Sequence, residues 1–321
     1  RSMQEGLVLL DDRWTILSIN PAAQELFHTD SSCIGQDFLT VERGVEMSAA
    51  IEEAMRSGHS AFRMHRNARI YQLDLTRIES GGAVILTFDI TEQEEAEQNR
   101  REFTANVSHE LKTPLQGIIG SAELLENGMV KPEDTARFVG HIRFEAQRLV
   151  TLIGDIIRLS QLDEGDEMPM EPVDLLVTAQ EAANDVQSAA EKKHVKITVQ
   201  GEPVELTGVR RLLYEIIYNL CDNAVKYNVD GGSVEVRVES DAQNAAVTVT
   251  DTGIGIAPEH QGRIFERFYR ADKSHSKASG GTGLGLSIVK HAVQYHHGTI
   301  DLQSEPGKGT RITVRFPRTE A

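Results

Sequence analysis

Two long stretches of regularly spaced apolar residues, divided by an abrupt helix stop, place the tightest limit on how this chain can fold. Val107, Leu111, Pro114, Ile118 and Leu125 recur at steps of three and four, and a second stripe follows at Phe138, Ile142, Leu149, Ile153 and Ile156. Between them Asn127-Gly128-Met129-Val130-Lys131-Pro132 ends one helix and starts another at Pro132. Two long helices with coiled-coil spacing and a short connection predict an antiparallel hairpin. One hairpin buries little surface alone, so pairing with a second copy into a four-helix bundle is its natural completion. Upstream, the acidic run from Glu92 to Gln98 favours helix strongly, reads as a solvated face and has Thr91 as its expected N-cap.

The flanks are of another kind. Before residue 91 the pattern is that of a small α+β domain. Gly6 to Leu10 and Thr15 to Ile19 are short strands split by Asp11-Asp12-Arg13, and Asn20-Pro21 opens a helix carrying Ala22, Ala23, Leu26 and Phe27. Tyr71 to Leu75 alternates as a strand, and the turn Ser80-Gly81-Gly82 leads into another from Ala83 to Phe88. Beyond Gly165, the stretch Asp166 to Pro172 reads as a linker. Strands at Lys196–Val199, Ser233–Glu239 and Ala245–Thr250, helices at 209–228 and 285–297, and a hairpin from Thr299 to Phe316 complete an α/β domain. A length of 321 residues suits two or three domains at roughly 150 residues each.

Net charge is −16, from 33 basic and 49 acidic residues, which argues against nucleic acid or an anionic membrane surface as a partner. Cys33 and Cys221 are too few for a disulfide scaffold and suit a reducing cytoplasm. No segment approaches the roughly 18 apolar residues of a membrane span. The opening Arg1-Ser2-Met3 reads as an expression scar or an internal cut, so upstream parts, a membrane anchor among them, are expected in the full-length protein.

Four constellations carry chemistry. In Ser108-His109-Glu110-Leu111-Lys112-Thr113-Pro114, His109 lies about 200° around the helix from both Val107 and Leu111, opposite the apolar stripe and facing solvent. A neutral imidazole is a nucleophile when one nitrogen is free and the other is oriented by a carboxylate, a role open to Glu110, which can equally act as base. Thr113 shares the histidine's face, and Pro114 should kink the helix beside it. A zinc-protease reading fails, since Thr113 stands where a second histidine would be needed. Next, Glu215, Asn219, Asn223, Lys226 and Tyr227 form a polar stripe opposite Leu212, Leu213, Ile216, Ile217 and Leu220. The two amides can simply bond each other, but an Asn carbonyl is also a hard ligand suited to Mg²⁺. Lys226 can meet a phosphate, and Tyr227 a base or ribose.

Asp251-Thr252-Gly253-Ile254-Gly255 follows a strand, where an aspartate can accept a hydrogen bond from an adenine amino group; the same residues also make an ordinary turn. Finally, Gly280 to Ser287 opens a helix whose N–H groups suit phosphate, but no strand precedes it, so it is no dinucleotide fingerprint. Between the last two, Phe265-Glu266-Arg267-Phe268-Tyr269-Arg270 is followed by a polar, small-residue stretch from Ala271 to Ser279 that suits a mobile lid pinned by Phe265 and Phe268.

The order of these motifs resembles a known family. Residues 92 to 321 are similar to class I sensor histidine kinases: His109–Pro114 matches the phosphoacceptor box, Asn219–Tyr227 the asparagine box, Asp251–Gly255 and Gly281–Gly285 the two glycine boxes, and Phe265–Phe268 the phenylalanine box. Residues 1 to 91, with Asn20-Pro21-Ala22-Ala23 after the first hairpin and Asp89-Ile90-Thr91 after the last strand, resemble a PAS sensor domain. The resemblance implies a multidomain α+β chain: a PAS domain at 1–91, a dimeric phosphotransfer hairpin at 92–165, and a Bergerat-type α/β-sandwich ATP-binding domain at 166–321. It further implies that Asn223 holds Mg²⁺ and Asp251 reads adenine. Asn219, Lys226, Tyr227, Gly253, Gly255, Gly281, Thr282, Gly283, Leu284 and Gly285 then line the ATP, and Arg270 and Lys273 are lid contacts to phosphate.

The implied activity is transfer of the γ-phosphoryl group of ATP to His109 and on to an aspartate of a response-regulator receiver domain, with Thr113 serving a phosphatase mode. By analogy, the domain pattern is similar to that of membrane-bound kinases answering to phosphate or cell-envelope state. A gyrase- or chaperone-like ATPase would share the nucleotide site, but it leaves His109 unexplained and meets Asn219 where such enzymes carry a glutamate base. A non-catalytic PAS module would need a damaged ATP site, and none of its residues is missing. His291, His296 and His297 are expected to be solvated, and Cys33 lacks the surroundings of a flavin-reactive cysteine.

Overall fold

Residues 5–79, 81–163, 168–271 and 281–318 are described by the computed structural model, and the chain divides between Phe103 and Thr104 into two units. In the first, strands β1 (Gly6–Leu10), β2 (Ile16–Ile19), β3 (His59–Arg66), β4 (Arg69–Arg77) and β5 (Ala83–Asp89) form one antiparallel sheet in the order β2-β1-β5-β4-β3. Asn20 explains how helix α1 (Pro21–Phe27) is fixed to it. Its Oδ1 accepts from the N–H of Ala23, capping the helix, and from the N–H of Leu7 on β1, both at 2.9 Å. Helices α2 (Phe38–Val41) and α3 (Val45–Ser57) complete a core holding Val8, Leu10, Phe27, Phe38, Ile51, Leu73 and Ile85. Neither α3 nor β3 is among the elements expected from sequence.

Helix α4 (Thr91–Glu126) begins one residue earlier than expected. The carbonyl of Ile90 accepts the first helical hydrogen bond, from Glu94, and the Thr91 hydroxyl oxygen instead accepts from Ile70 N–H on β4. Thr91 therefore ties the helix to the sheet rather than capping it. Past Phe103 the helix belongs to the second unit and continues through Pro114. Gly128, at φ +66°, ends it, a 3₁₀ turn at Pro132–Asp134 restarts the chain, and α5 (Thr135–Asp163) returns. Val107, Leu111, Ile118 and Leu125 are half-buried and Pro114 buried, as the seam requires. On α5 the expected stripe is half-buried except at Ile153, which is exposed; Leu152, Asp155 and Leu159 are the fully buried residues.

The rest of the second unit contains β6 (Glu171–Asp174), α6 (Leu175–Lys192), β7 (Lys196–Gly201), β8 (Glu205–Gly208), α7 (Arg210–Lys226), β9 (Ser233–Ser240), β10 (Asn244–Asp251), α8 (Pro258–Gln261), α9 (Gly285–Tyr295), β11 (Thr299–Glu305) and β12 (Gly309–Pro317). The main sheet runs β11-β12-β10-β9-β7, antiparallel except where β7 meets β9. The inward residues of β9 and β10, among them Val234, Val236, Val247 and Val249, pack with Leu212, Ile216 and Leu220 of α7, giving a helix layer on one face of a sheet. An α/β sandwich beside a helical hairpin is the expected architecture. Two local expectations fail. Glu171 and Pro172, read as linker, pair with β8, while Asp166 and Glu167 lie outside the described residues. His296 is buried, not solvated: Val209 N–H donates to its Nε2 at 3.0 Å, and its Nδ1 lies 2.7 Å from the carbonyl of Ala292.

Candidate functional site

His109 projects from α4 into solvent, opposite the seam. Thr113, exposed one turn on, donates its hydroxyl to the carbonyl of His109 at 3.2 Å. Glu110 does not turn to the imidazole; its carboxylate faces Arg148 of α5 at 3.6 Å. Arg148 is a residue the sequence pattern missed. Only 10% of its side chain is exposed, and it also lies 3.8 Å from Glu145.

The nucleotide-type residues gather at the ends of α7, β10 and the loop before α9. Asn219 donates to the carbonyl of Glu215 at 2.8 Å and turns its Oδ1 to Gly285, where an added Cβ would stand only 2.8 Å away. Asn223 is half-buried and makes no side-chain hydrogen bond among the described residues. Lys226 lies 5.7 Å from the centre of the Tyr227 ring and against Gly281, where a Cβ would meet its Nζ at 2.4 Å. Burial pulls the Lys226 ammonium below its ordinary range and pushes the Tyr227 phenol up. Asp222, also missed, is a half-exposed carboxylate raised by burial and relieved by Lys226.

Asp251 Oδ1 accepts from the N–H groups of Gly253 at 2.7 Å and Thr310 at 3.2 Å, and burial raises its pKa. Its Oδ2 is thereby left for another donor. Gly255, at φ +67°, passes so close to the Glu305 carbonyl that a Cβ would lie 2.0 Å from it, so only glycine fits. Phe268 N–H donates to the carbonyl of Gly283 at 3.0 Å, fastening the phenylalanine segment to the glycine loop. Arg270 keeps a buried Nη2 with no hydrogen-bond partner among the described residues, and burial lowers its pKa. Lys273 and the span 272–280, with most of the expected lid, lie outside the described residues.

Glu215 departs from the polar stripe. Its carboxylate turns to Arg158 of α5, 3.1 Å away, and Arg158 also reaches Asp155 at 3.3 Å. The Thr282 hydroxyl donates to Asp155 at 2.8 Å, and Arg267 pairs with Asp163 at 2.6 Å. No sequence motif announces these contacts between α5 and the α/β layer.

Known proteins share this arrangement. Residues 99–165 match the His Kinase A (phospho-acceptor) domain family, and residues 208–320 match the family described as histidine kinase-, DNA gyrase B- and HSP90-like ATPase. The chain is 36% identical over 312 residues to the sensor-like histidine kinase SenX3 of Mycolicibacterium smegmatis, covering 96% of this chain and 76% of that protein. It is 38% identical over 251 residues to the phosphate regulon sensor protein PhoR of Pseudomonas aeruginosa, covering 76% of this chain and 56% of that one. The structure of full-length ShkA in complex with AMPPNP aligns with a TM-score of 0.52 at 28% identity, over 68% of this chain and 46% of ShkA. Histidine kinase ThkA, in complex with the response regulator protein TrrA, aligns with a TM-score of 0.56 over 99% of this chain and 97% of its own; at 20% identity it bears on fold alone.

Proposed function

The chain belongs to the sensor histidine kinases, and from that premise we propose that His109 is its phosphoacceptor and that the cleft between α7 and the loop Gly281–Gly285 holds the ATP. It is an ATP-dependent protein-histidine kinase that autophosphorylates and signals through a response regulator. The observation that carries the residue assignment is an exposed imidazole opposite the seam of a hairpin, in one unit with a cleft of amides, a buried aspartate and glycines.

In the proposed reaction the free ring nitrogen of His109 attacks the γ-phosphorus, the bond to the β–γ bridging oxygen breaks, ADP leaves and the proton on the other ring nitrogen is given up. Glu110 is the carboxylate at hand to orient the imidazole or take that proton, which requires it to turn from Arg148. Asp251 offers Oδ2 to the adenine amino group. Lys226 and the unpartnered Nη2 of Arg270 meet phosphate oxygens, which offsets the cost of burying both cations. The unengaged Asn223 side chain fits Mg²⁺, which takes few protein oxygens. When bound, the ion would neutralise phosphate charge. The phosphoramidate is reactive enough to pass its phosphoryl group to an aspartate of a receiver domain, and Thr113 orients the water that later removes it.

Residues 1–91 act as a PAS-type sensor, a reading supported by the sheet order and the Asn20-capped helix. The hairpin at 92–165 pairs with a second copy, supported by exposed Leu115, Ile119, Val139, Val150 and Ile157. Residues 166–321 bind ATP. No described helix is long and apolar enough to cross a membrane; the proposed setting is the cytoplasmic part of a longer, membrane-anchored protein.

Incubation with γ-labelled ATP and Mg²⁺ tests the assignment. Acid-labile, alkali-stable label is expected on the chain and absent from His109→Gln. Label persisting in His109→Gln would overturn it.

A further inference from the structure

Asp155 is an anomaly on α5: a carboxylate, 7% exposed, in a row with buried Leu152 and Leu159. A buried charge is costly unless its oxygens are satisfied, and both of these are. Oδ1 lies 3.3 Å from Arg158 Nη1, and Oδ2 accepts from the Thr282 hydroxyl at 2.8 Å. A hydroxyl has one proton to give. With that proton committed to Asp155, the Thr282 oxygen presents a lone pair to the N–H of Leu284, 3.3 Å away. Leu284 directly precedes α9, whose first N–H groups have no helical partners and form the phosphate end of the cleft.

Arg158 extends the contact to the other wall. Its Nε lies 3.1 Å from Glu215 on α7, one turn from Asn219. One turn of α5, from Asp155 to Arg158, thus reaches both elements that flank the nucleotide. Glu215, drawn into the polar stripe by its spacing, belongs to this tie.

We propose that Asp155 is a positioning residue for the nucleotide: through the Thr282 hydroxyl it sets the loop Gly281–Gly285, so that the second hairpin helix governs how tightly ATP or ADP is held. This rests on the reading of that loop as the phosphate cradle. The coupling is reciprocal, so a bound nucleotide alters the hold of the loop on α5 by the same factor.

The test is ADP affinity, measured by titration calorimetry on the full chain, with the KM for ATP alongside. Asp155→Ala should weaken ADP binding by about five- to tenfold and raise KM in parallel, the low end of such couplings. Thr282→Val should weaken it as much or more, and the double variant no further, because both cut one connection. Asp155→Asn keeps an acceptor oxygen and should bind within about twofold of the parent, a rescue that loss of packing would not give. Asp155→Leu fills the same space without a charge and repeats the test should the alanine variant not fold; the same loss is expected. Parent-like ADP affinity in Asp155→Ala or Asp155→Leu would overturn the proposal, as would losses that multiply in the double variant. A parent chain that binds no ADP would overturn the cradle reading itself, a distinct result.

Discussion

Helices α5 and α7 are both amphipathic, yet they spend their apolar residues differently. On α7 every large aliphatic is buried, at 3% exposure or less, in a core closed by the sheet. On α5, Val139, Val150, Ile153 and Ile157 remain between 44% and 64% exposed, and of the fully covered residues Asp155 meets the α/β layer through Thr282. A helix inside a finished core has its remaining face free for a ligand, the role proposed for Asn219, Asn223 and Lys226 on α7. On the proposed pairing of two hairpins, α5 keeps its exposed face for the second copy. The contrast separates a part of the molecule whose core closes within one chain from a part that leaves an apolar face uncovered.

Truncation in the finished core should do the most damage. Ile216→Ala removes a fully buried side chain facing the sheet and should cost about 2–5 kcal/mol, lowering the melting temperature by roughly 5–15 °C. Val150→Ala, at an exposed site, should stay within about 0.5 kcal/mol when the chain is dilute enough to be monomeric. Equal losses in thermal denaturation would erase the contrast. The exposed face should respond to charge instead. Ile119→Glu combined with Val150→Glu should convert a dimer into a monomer in sedimentation while leaving ADP binding intact; a dimer that survives both would place the interface elsewhere.

The same contrast decides what could be read from sequence. The hairpin was legible because its apolar spacing persists over many turns and Asn127 to Pro132 interrupts it. The residues proposed to bind nucleotide could be picked out because each lies within a short local pattern, and the fold gathers most of them at one end of α7 and the loop before α9. What escaped had either weak local contrast or a distant partner. Strand β3 has no fully buried residue, so its alternation sets His59, Arg63 and His65 against only half-buried neighbours. Helix α6 packs mostly alanines, Ala179, Ala182, Ala183 and Ala190, too small to raise an apolar stripe above its polar surroundings. Helix α3, by contrast, carried a usable signal in Met47, Ala50, Ile51 and Ala54. Asp155 meets Thr282 127 positions away, and His296 meets Val209 87 positions away, so no window along the chain contains either pair.

Thr113 tests how far the exposed face of α4 is functional in its own right. Among the described residues its hydroxyl bonds only the carbonyl of His109, so Thr113→Ala costs little structure. The variant should remove phosphate from the regulator more slowly, on the order of ten- to a hundredfold, as expected when a reacting water loses its orientation. Autophosphorylation should be unchanged. Equal loss of both activities would assign Thr113 to the helix and not to the reaction.

The smallest effect, and the most specific, is the acid limb of nucleotide binding. In its proposed role Asp251 accepts the adenine amino group more strongly as a carboxylate than as the acid, and burial raises its pKa above the ordinary aspartate value of 3.8, so protonation begins at a higher pH than for an exposed aspartate. A donor on Oδ2 stabilises the ionised form, so the bound protein releases a proton. ADP affinity should therefore fall as pH drops, by up to about tenfold per unit between the pKa values of the free and bound protein. Asp222 is raised as well, and its titration has the opposite sign, because neutralising an anion beside Lys226 favours a phosphate. The two carboxylates are thus separable by direction. Asp251→Asn should bind ADP more weakly at neutral pH and lose the acid limb, whereas Asp222→Asn should bind at least as well as the parent and keep it. An acid limb that survives in Asp251→Asn would remove Asp251 from the base pocket.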